Sequence, residues 1–328
     1  MGIAEQHSRK KRRAANPRKS PRPAPASVRP PSRPAAGLPP RPIDLTRVTE
    51  WQAGAVSRVD DYLVGEEPLE IRLGNRPISV TMRTPGHDLE LAAGFLLTEG
   101  VITGEDQIAS LRQVATRGHK SNVVRVDLRP GLKIDAARLK RHFAATSSCG
   151  LCGKASIDAV RVRGIARPHP DLRVAPDVLC LLPETLRSAQ TLFGRTGGPH
   201  AAGLFDPMGK LIALREDVGR HNAVDKLIGW ALMEQRLPLK DSLMLVSGRG
   251  SFEIVQKALV AGISIVACIS APSSLAVRLA WEFGLTLIGF LRGKRFVCYA
   301  GDDRVRLAVV RSAGVRGPSA VRLVEEKR

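Results

Sequence analysis

The pattern of apolar and polar positions is clearest in the second half of the chain, where short apolar runs alternate with amphipathic segments. The apolar runs predict strands at Leu243–Val246, Ile263–Ile269 and Thr286–Phe290. The two segments between them, Phe252–Ala261 and Ser274–Phe283, have helical periodicity. Strands that alternate with helices through short connections are typical of parallel strands joined by right-handed crossovers. This half is therefore expected to form an α/β unit.

The first half of the chain has a different pattern, in which ordered structure is expected to begin near Ile43. Gly74-Asn75 separates two strand-like runs, Pro68–Leu73 and Pro77–Arg83, and this arrangement is a hairpin signal. The pattern further predicts a helix, a strand and a second helix, in that order: Asp88–Glu99, Val123–Leu128 and Asp135–Ala144. The N-terminal portion is therefore expected to be smaller and rich in β-structure.

Composition changes this picture at the N-terminus, because half of the formal net charge of +20 belongs to residues 1–42. This stretch has 11 of the 51 Lys and Arg residues, one acidic residue and ten prolines. It cannot bury enough apolar surface to offset the entropy of ordering, so we predict a disordered tail. A solvated tail without a specific role is the preferred interpretation, and an arm for nucleic acid or a membrane surface is the alternative. The rest divides into an α+β portion, an α/β domain and a basic C-terminal end: residues 43–145, 146–310 and 311–328.

The location of the protein follows from segments that the sequence lacks. No run approaches the about 18 apolar residues that are needed to cross a bilayer. No apolar stretch follows the basic run Arg9–Arg13, so the N-terminus does not resemble a secretory signal. We therefore expect a cytoplasmic protein with no membrane partner. Its five cysteines, an odd number, do not suggest a disulfide framework in that setting.

Candidate chemistry begins with a C-x-x-C pair, Cys149 and Cys152, in the run Ser147–Gly153. If the chain is helical from Lys154 onward, the helix dipole and the lysine both favour the thiolate form of these residues. By spacing alone a metal site, a redox site and a sulfur relay all remain open. A zinc site would need two further ligands. The other cysteines lie in apolar contexts that are typical of inert core thiols: Cys180, Cys268 and Cys298.

A second candidate is a set of three loops that follow the predicted parallel strands: Ser247–Ser251, Ser270–Ser274 and Phe290–Arg295. Because the carboxyl ends of parallel strands share one edge of a sheet, we expect these loops to converge where α/β folds bind ligands. Two of them open helices, whose free N–H groups attract anions. Four basic residues add positive charge: Arg249, Arg292, Lys294 and Arg295. The loops suit a phosphate-bearing small molecule such as a nucleotide, and ordinary turns with solvated basic residues are the simpler alternative.

A third candidate is a pair of histidines that lie in two glycine-containing runs, Thr196–Ala202 and Glu216–Lys226. Apolar periodicity after the second run predicts a helix with His221 and Asn222 in or before its first turn. Either His200 or His221 could be a general base, a ligand contact or a structural hydrogen-bonding group. The sequence does not decide between these roles.

The same stretches resemble those of the formate dehydrogenase accessory sulfurtransferases, the FdhD/NarQ family. The matching runs occur in the family's order: Thr84–Leu96, Ser147–Gly153, Thr196–Ala202, Glu216–Lys226, Ser247–Glu253, Ser270–Ser274 and Gly289–Arg295. The resemblance extends roughly from Val56 to Ala300. Each run is only moderately specific, but chance does not easily explain several runs in the same order.

The resemblance implies a cytoplasmic sulfurtransferase that accepts persulfide sulfur from a cysteine desulfurase. It implies that the sulfur passes to the molybdenum cofactor, bis(molybdopterin guanine dinucleotide), before the cofactor enters formate dehydrogenase. The catalytic pair is then Cys149, the persulfide carrier, with Cys152 as its partner. The family's cofactor-binding stretch corresponds to Phe290, Leu291, Arg292, Gly293, Lys294 and Arg295. The molybdenum cofactor is expected to bind as cargo that the protein modifies and passes on. We assign no metal ligands and no metal of the protein's own. A homodimer is possible.

The resemblance also implies a layered α/β fold similar to that of cytidine deaminases, with a mixed or parallel sheet flanked by helices. A zinc deaminase uses H-x-E and P-C-x-x-C. This chain has His200-Ala201-Ala202 and Ser148 before Cys149, so we do not expect deamination. Two alternative functions are a zinc-stabilised nucleic-acid-binding protein, suggested by C-x-x-C and the charge, and a thiol–disulfide oxidoreductase. Aromatic residues are only 4%, which weakens base stacking, so no nucleic-acid partner is expected.

Overall fold

The computed structural model of the chain describes residues 41–116, 119–132 and 168–306, and it describes residues 116 and 119–121 by their backbone alone. Four predicted features lie outside these ranges: most of the basic tail, the helix over 135–144, the C-x-x-C run and the C-terminal end over 311–328. The division of the chain into domains stays a prediction. None of the described helices is long and apolar enough to cross a membrane.

The described chain begins with a long β-hairpin made of β1 (Ile43–Gln52) and β2 (Ala55–Val64). The two strands pair antiparallel along their whole length. The connecting residues, Ala53 and Gly54, both have positive φ, as a type I′ turn requires. The first strand starts at Ile43, where the sequence predicted that ordered structure begins.

A four-stranded sheet follows, and its strands are β3 (Glu67–Leu73), β4 (Arg76–Arg83), β5 (Ile108–Thr116) and β6 (His119–Leu128). The order across the sheet is β4-β3-β6-β5. β3 and β4 pair antiparallel, which confirms the predicted hairpin, and β6 runs parallel to β3. Helix α1 (Asp88–Thr98), also predicted, packs against β5 and β6. These elements confirm the expected small β-rich portion.

The second sheet has six strands in the order β12-β11-β10-β9-β7-β8. Their bounds are β7 (His200–Phe205), β8 (Leu211–Asp217), β9 (Leu243–Val246), β10 (Ile265–Cys268), β11 (Thr286–Arg292) and β12 (Arg295–Ala300). The three predicted strands, β9, β10 and β11, are parallel to one another. The sheet is mixed, because β7, β8 and β12 pair antiparallel with their neighbours.

The two faces of this sheet bury different apolar clusters, because side chains alternate along each strand. On β9, Met244 and Val246 face a cluster that also contains residues of α1, of the four-stranded sheet and of three further helices. Leu243 and Leu245 face a second cluster, which includes residues of the helix Pro176–Ala189. The helices after α1 are α2 (Pro176–Ala189), α3 (Thr191–Thr196), α4 (Arg220–Met233), α5 (Phe252–Val260) and α6 (Ser274–Phe283). The predicted layered mixed α/β fold is confirmed, whereas the likeness to cytidine deaminases stays a prediction.

Helices α1 and α4 cross with their backbones in contact, at Gly94 and Gly229. A Cβ atom on Gly94 would collide with the carbonyl oxygen of Asp225, and one on Gly229 would collide with that of Glu90. Only glycine has no Cβ, so these two positions permit the crossing. The crossing joins the N-terminal portion to the six-stranded sheet and brings the segment before α1 close to the segment before α4.

Candidate functional site

The segments that follow β9, β10 and β11 lie together at one edge of the six-stranded sheet, as the sequence predicted. The backbone N–H of Ser273 donates to the carbonyl of Gly250 at 2.9 Å, which joins the loop after β10 to the loop after β9. The N–H of Phe290 donates to the carbonyl of Ser270 at 3.2 Å, which joins β11 to the same loop. The three segments therefore form one continuous surface.

The prediction of a loop over 290–295 is wrong in one respect, because these residues form a β-hairpin. β11 continues to Arg292 and β12 starts at Arg295, so that the turn is only Gly293 and Lys294. Arg292 and Arg295 pair across the two strands. β11 extends beyond the apolar residues that predicted it. The antiparallel partner β12 pairs with the polar residues at its end through backbone hydrogen bonds, which do not depend on apolar side chains.

The six residues of this hairpin differ in what they can offer to a ligand. The side chain of Leu291 is fully buried in the cluster that includes α2. Phe290 is half-buried and has a φ of 52°, a left-handed conformation that is uncommon for a residue with a Cβ. The remaining four residues are exposed: Arg292, Gly293, Lys294 and Arg295. The hairpin can therefore present three basic side chains to an anion.

Two serines of the strand-end loops cap the helices that follow. The hydroxyl of Ser251 accepts from the N–H of Ile254 at the start of α5, at 3.5 Å. The hydroxyl of Ser273 accepts from the N–H of Ala276 at the start of α6, at 3.2 Å. Both loops open helices, as predicted, and the positive ends of the two helix dipoles point to the same edge.

His200 is the first residue of β7 and lies beside the loop after β9. Its Nδ1 atom is 3.4 Å from the hydroxyl of Ser247. Burial lowers the pKa of His200, and the nearby charges of Arg220 and Arg249 lower this pKa further, against a smaller opposite effect of Asp217. The imidazole is therefore neutral near pH 7 and lies in a positively charged environment.

His221 occupies a different environment, between the first turns of α4 and α5. Its Nε2 atom is 3.2 Å from the hydroxyl of Ser251 and 3.8 Å from a carboxylate oxygen of Glu253. Burial lowers the pKa of His221 to about 4, and the charges of Lys257 and Arg220 contribute to the shift. His221 is thus a neutral side chain that links two helices, whereas His200 faces the basic edge.

A buried ion pair lies beneath this edge and consists of Asp217 and Lys226, whose atoms are 2.7 Å apart. Asp217 also accepts from the N–H groups of Gly219 and Thr84 and from the side chain of Asn222. Lys226 also donates to the carbonyl of Thr84 at 2.8 Å. The pair therefore determines the turn before α4 and holds it against the segment before α1.

A second buried pair joins Asp225 of α4 to Lys257 of α5, with an N–O distance of 2.9 Å. Lys257 also contacts Glu99 at 3.2 Å and the hydroxyl of Thr98 at 2.8 Å. Burial raises the pKa of Asp225, and Glu99 adds to this effect against the opposing charge of Lys257. The pKa of Lys257 is also raised, because the two carboxylates outweigh the effect of its burial. Lys257 therefore forms ion pairs with two carboxylates, those of Asp225 and Glu99.

Sequence reasoning did not identify these buried charged residues. Lys226 is 1% exposed and Asp217 is fully buried, although both belong to a run that the sequence analysis selected for its histidine. A second unrecognised pair is Arg83 and Asp88, both buried, which form two hydrogen bonds of 2.9 and 2.8 Å. Only Lys226 gave a signal, as a charged residue among the apolar positions of a predicted helix, since such residues are rarely buried unless they are paired.

The cysteines divide into those that the structure describes and the C-x-x-C pair, Cys149 and Cys152, which lies outside the described residues. Burial raises the pKa of Cys268 to about 12 and that of Cys298 to about 11. Burial also raises the pKa of Cys180. A raised pKa disfavours the reactive thiolate in all three, as expected for inert thiols. Only Cys268 is a core residue, and the prediction of a core position is wrong for Cys180 and Cys298, which are half-buried.

Comparisons with known proteins give consistent results for most of the chain. A family model described as the FdhD/NarQ family matches residues 64–306. The protein named sulfur carrier protein FdhD of Streptomyces coelicolor is 53% identical over 273 residues, which are 81% of this chain and 97% of that protein. Its namesake in Mycobacterium tuberculosis is 50% identical over 267 residues, 79% of this chain and 97% of that protein. A crystal structure of a formate dehydrogenase accessory protein from Desulfotalea psychrophila has a TM-score of 0.63 at 24% identity and covers 80% of this chain and 99% of its own, a likeness of fold.

Proposed function

The chain belongs to the FdhD/NarQ family, and from this premise we propose that it is a cytoplasmic sulfur carrier required for formate dehydrogenase activity. It accepts persulfide sulfur from a cysteine desulfurase and transfers it to the molybdenum cofactor, bis(molybdopterin guanine dinucleotide). The name shared by relatives at 50–53% identity, sulfur carrier protein FdhD, supports the carrier role. The description of the structural neighbour as a formate dehydrogenase accessory protein supports the choice of client.

One observation supports the cofactor half of this proposal most directly, namely the basic surface at the strand-end edge. The loops after β9 and β10 and the hairpin Phe290–Arg295 are joined by backbone hydrogen bonds. Arg249 extends from the first loop, and three basic side chains extend from the hairpin. A cofactor with two guanine dinucleotide arms brings several phosphates, and arginine side chains and helix N-termini are the usual partners of such groups. The cofactor is bound as cargo.

The sulfur half of the proposal assigns the transfer to Cys149. Its thiolate attacks the outer sulfur of the donor persulfide, the S–S bond of the donor breaks, and the donor cysteine leaves as a thiolate. Cys149 then holds one additional sulfur as a persulfide. The other three cysteines are unsuited to this step, since burial raises the pKa of each of them.

Cys152 has a second role in the same proposal, which is to discharge the persulfide. Its thiolate attacks the Cys149 sulfur, the two cysteines become a disulfide, and the outer sulfur leaves as hydrosulfide. A thiol reductant then restores the pair. A variant that lacks Cys152 should therefore still load sulfur but should release it more slowly.

The experiment is mass spectrometry after incubation of the protein with a cysteine desulfurase and cysteine. The peptide that contains Cys149 should gain about 32 Da, one sulfur atom, in the wild-type protein. Cys149→Ala should lose this adduct and should fail to activate formate dehydrogenase in cells. Cys180→Ser is the matched control, because it removes a thiol of raised pKa and should keep both properties. If Cys149→Ala still accumulates persulfide and still activates the dehydrogenase, the assignment of the carrier is wrong.

A further inference from the structure

The hairpin of β1 and β2 is anchored at its base and exposed along the rest of its length. The guanidinium of Arg195 lies 4.8 Å from the ring centre of Tyr62. The N–H of Gly65 donates to the carbonyl of Pro42 at 2.8 Å and closes the base. Beyond this base, every residue of β2 from Ala55 to Leu63 is exposed. Among the residues that the structure describes, β2 pairs only with β1, so its outer edge is unpaired.

An unpaired strand edge is a template for a strand of another molecule. Proteins that stay monomeric usually cover such an edge, shorten it, bend it with a bulge, or place lysine or proline on it. β2 is ten residues long, has no bulge in its pairing with β1 and contains neither lysine nor proline. Its only charged residues are Arg58, Asp60 and Asp61, and their positions decide which strand the edge can accept.

Alternate residues of β2 direct their backbone groups towards the free edge. The N–H of Tyr62 donates to the side chain of Asp61 at 2.8 Å rather than to β1. Opposite residues of an antiparallel pair alternate between hydrogen-bonded and non-hydrogen-bonded types. Tyr62 therefore belongs to a non-hydrogen-bonded pair, and so do the residues two, four and six positions before it: Asp60, Arg58 and Val56. The N–H and C=O groups of these four residues are available to a further strand.

We infer that β2 pairs antiparallel with β2 of a second copy of the chain, about a twofold axis at Val59, so that the two hairpins form one four-stranded sheet. In this register Arg58 lies opposite the partner's Asp60, and Val56 lies opposite the partner's Tyr62. The symmetry repeats each of these pairs once. The residues with available backbone groups are thereby matched to one another, and the sheet gains two ion pairs and two apolar pairs.

Other registers of the same two strands bring unsuitable residues together. An axis at Arg58 would place two arginines opposite each other, and an axis at Asp60 would do the same with two aspartates. Like charges in directly opposite positions destabilise a sheet. Axes at Ser57 or Asp61 would place the charges of Arg58 and Asp60 opposite uncharged residues or beyond the end of the partner's strand. Of these five axes, only Val59 gives opposite charges.

The pairing also accounts for large apolar side chains that the single chain exposes. Leu45 lies opposite Tyr62 and Trp51 lies opposite Val56, and all four share one face of the hairpin. These side chains are 41–70% exposed. In the four-stranded sheet, Leu45 and Tyr62 continue in a row with the partner's Val56 and the partner's Trp51. Neighbours in such a row contact each other, so the pairing removes part of this apolar surface from water.

Self-association can be measured by sedimentation of the full-length protein over a range of concentrations. Strand pairing alone makes a small interface, so we expect reversible association in the micromolar range. Arg58→Asp and Asp60→Arg each place like charges opposite each other, and each should weaken self-association at least tenfold. Both positions are exposed in the single chain, so the urea midpoints should stay at the wild-type value. Glu50→Arg is the matched control, because it reverses an exposed charge on β1 and should leave self-association unchanged.

A mixture of the two charge variants separates this pairing from a general loss of association. Arg58→Asp has acidic residues at both positions, and Asp60→Arg has basic residues at both. A mixed pair therefore brings opposite charges together, and the equimolar mixture should recover the association that neither variant has alone. The double variant Arg58→Asp with Asp60→Arg should recover it as well, because each ion pair is only reversed.

Val59→Cys tests the register directly, because this residue lies opposite its own copy at the axis. Opposite residues of a non-hydrogen-bonded pair have Cα atoms about 4.5 Å apart, a separation that a disulfide can span. After mild oxidation, mass spectrometry should find two copies of the same peptide joined at position 59. Val48→Cys is the control, because it lies on β1, which is the outer strand of the joined sheet, and it should give no such cross-link.

Two outcomes would overturn the inference. The first is a wild-type protein that sediments as a monomer at every concentration. The second is wild-type self-association in both Arg58→Asp and Asp60→Arg, which would mean that the copies meet at another surface. These measurements need neither a desulfurase nor the cofactor, so their result is independent of the proposed function.

Discussion

Helix α4 has two neighbouring charged residues, Asp225 and Lys226, that enter two separate buried ion pairs. Lys226 pairs with Asp217 beneath the candidate site, and Asp225 pairs with Lys257 of α5. The first pair forms its other hydrogen bonds mainly with the backbone, since Asp217 accepts hydrogen bonds from two backbone N–H groups and Lys226 donates one to a carbonyl. The second pair is bound by side chains of neighbouring helices. The two pairs therefore constrain different parts of the structure.

The difference shows that one buried ion pair can fix the path of the backbone, whereas another joins two helices. A buried ion pair is weak evidence for net stability, because the loss of hydration offsets much of the attraction between the charges. A pair that binds backbone N–H groups nevertheless determines the path of the chain. Asp217 does so for the turn that leads into Arg220, whereas the pair of Asp225 and Lys257 joins α4 and α5 without touching the site. We therefore expect that damage to the first pair changes ligand binding and that damage to the second changes stability alone.

The largest effect is expected from Gly229→Ala, which disturbs both pairs at once. The added methyl group would collide with the carbonyl of Glu90 and push α1 away from α4. Overpacking usually costs about 1–3 kcal/mol and occasionally more, and we expect more than about 5 kcal/mol here because the obstacle is the backbone of another helix. Urea unfolding followed by circular dichroism measures the change.

The control for this substitution is Gly194→Ala, also within a helix. No atom lies within 4 Å of the Cβ that alanine would add, so the free energy of unfolding should stay the same or rise by up to about 1 kcal/mol from helix propensity. Equal stability of the two variants would mean that the close crossing of α1 and α4 is not required for the fold.

The next effect is expected from Asp217→Asn, which breaks the pair beneath the site. It leaves the charge of Lys226 buried beside a carbonyl but without a carboxylate, and changes of this kind typically cost about 3–5 kcal/mol. Affinity for guanosine diphosphate, a fragment of the proposed cargo, should fall as well, because asparagine offers one acceptor oxygen in place of the two that bind the N–H groups of Thr84 and Gly219. Urea unfolding and titration calorimetry measure the two effects.

The double variant Asp217→Asn with Lys226→Met separates the two roles of this pair. Removing both charges should restore most of the stability, because no buried charge is left unpaired. The affinity should stay low, since the asparagine amide does not reproduce the acceptors of the carboxylate. Recovery of binding together with stability would show that the pair does not position the site.

The smallest effect is expected from Lys257→Met, and it should depend on pH. Because the pKa of Asp225 is already raised in the folded protein, chiefly by burial, this acid can take up a proton when its lysine is removed. A carboxyl group whose folded pKa lies above its unfolded pKa destabilises the fold as pH rises between these two values. The loss of stability should therefore be about 3 kcal/mol at pH 8, the lower end for a broken buried pair, and smaller at pH 5.

Urea midpoints of the wild-type and Lys257→Met proteins at the two pH values test this expectation. Titration with guanosine diphosphate should give the wild-type affinity, because Lys257 does not contact the candidate site. A stability gap that is independent of pH would show that Asp225 stays ionised. A loss of affinity would contradict the distinction between the two pairs.

Much of the second half of the chain could be predicted because its elements are locally encoded. The bounds of β9 and α6 match the predicted ranges, and α5 and β10 differ from theirs by one or two residues. Each of these elements has an uninterrupted apolar period, and Ser251 and Ser273 cap the two helices. In contrast, β12 was not predicted, because all of its residues except Ala300 are exposed or half-buried and its position depends on pairing with β11.

The candidate site could be predicted in outline and not in detail. Alternation of strands with helices predicts parallel strands, whose carboxyl ends lie at one edge of the sheet. The sequence therefore predicted that the loops after β9 and β10 lie close together. The different roles of His200 and His221 were not, because each depends on neighbours that are 30 or more residues away. The buried position of Leu291 also required the structure, since the same stretch has basic neighbours.

The sequence by itself determined the periodic elements, the helix caps, the C-x-x-C pair at Cys149 and Cys152, and the motifs that place the chain in its family. These properties depend on residues that are close along the chain. Only the tertiary structure decided that Asp217 meets Thr84, 133 residues away, and that Arg220 lies beside His200 above Gly248. Such contacts depend on how closely two backbones approach, and Gly94 and Gly229 permit that approach only in combination. A pattern read along one segment cannot specify where a distant segment will pack against it.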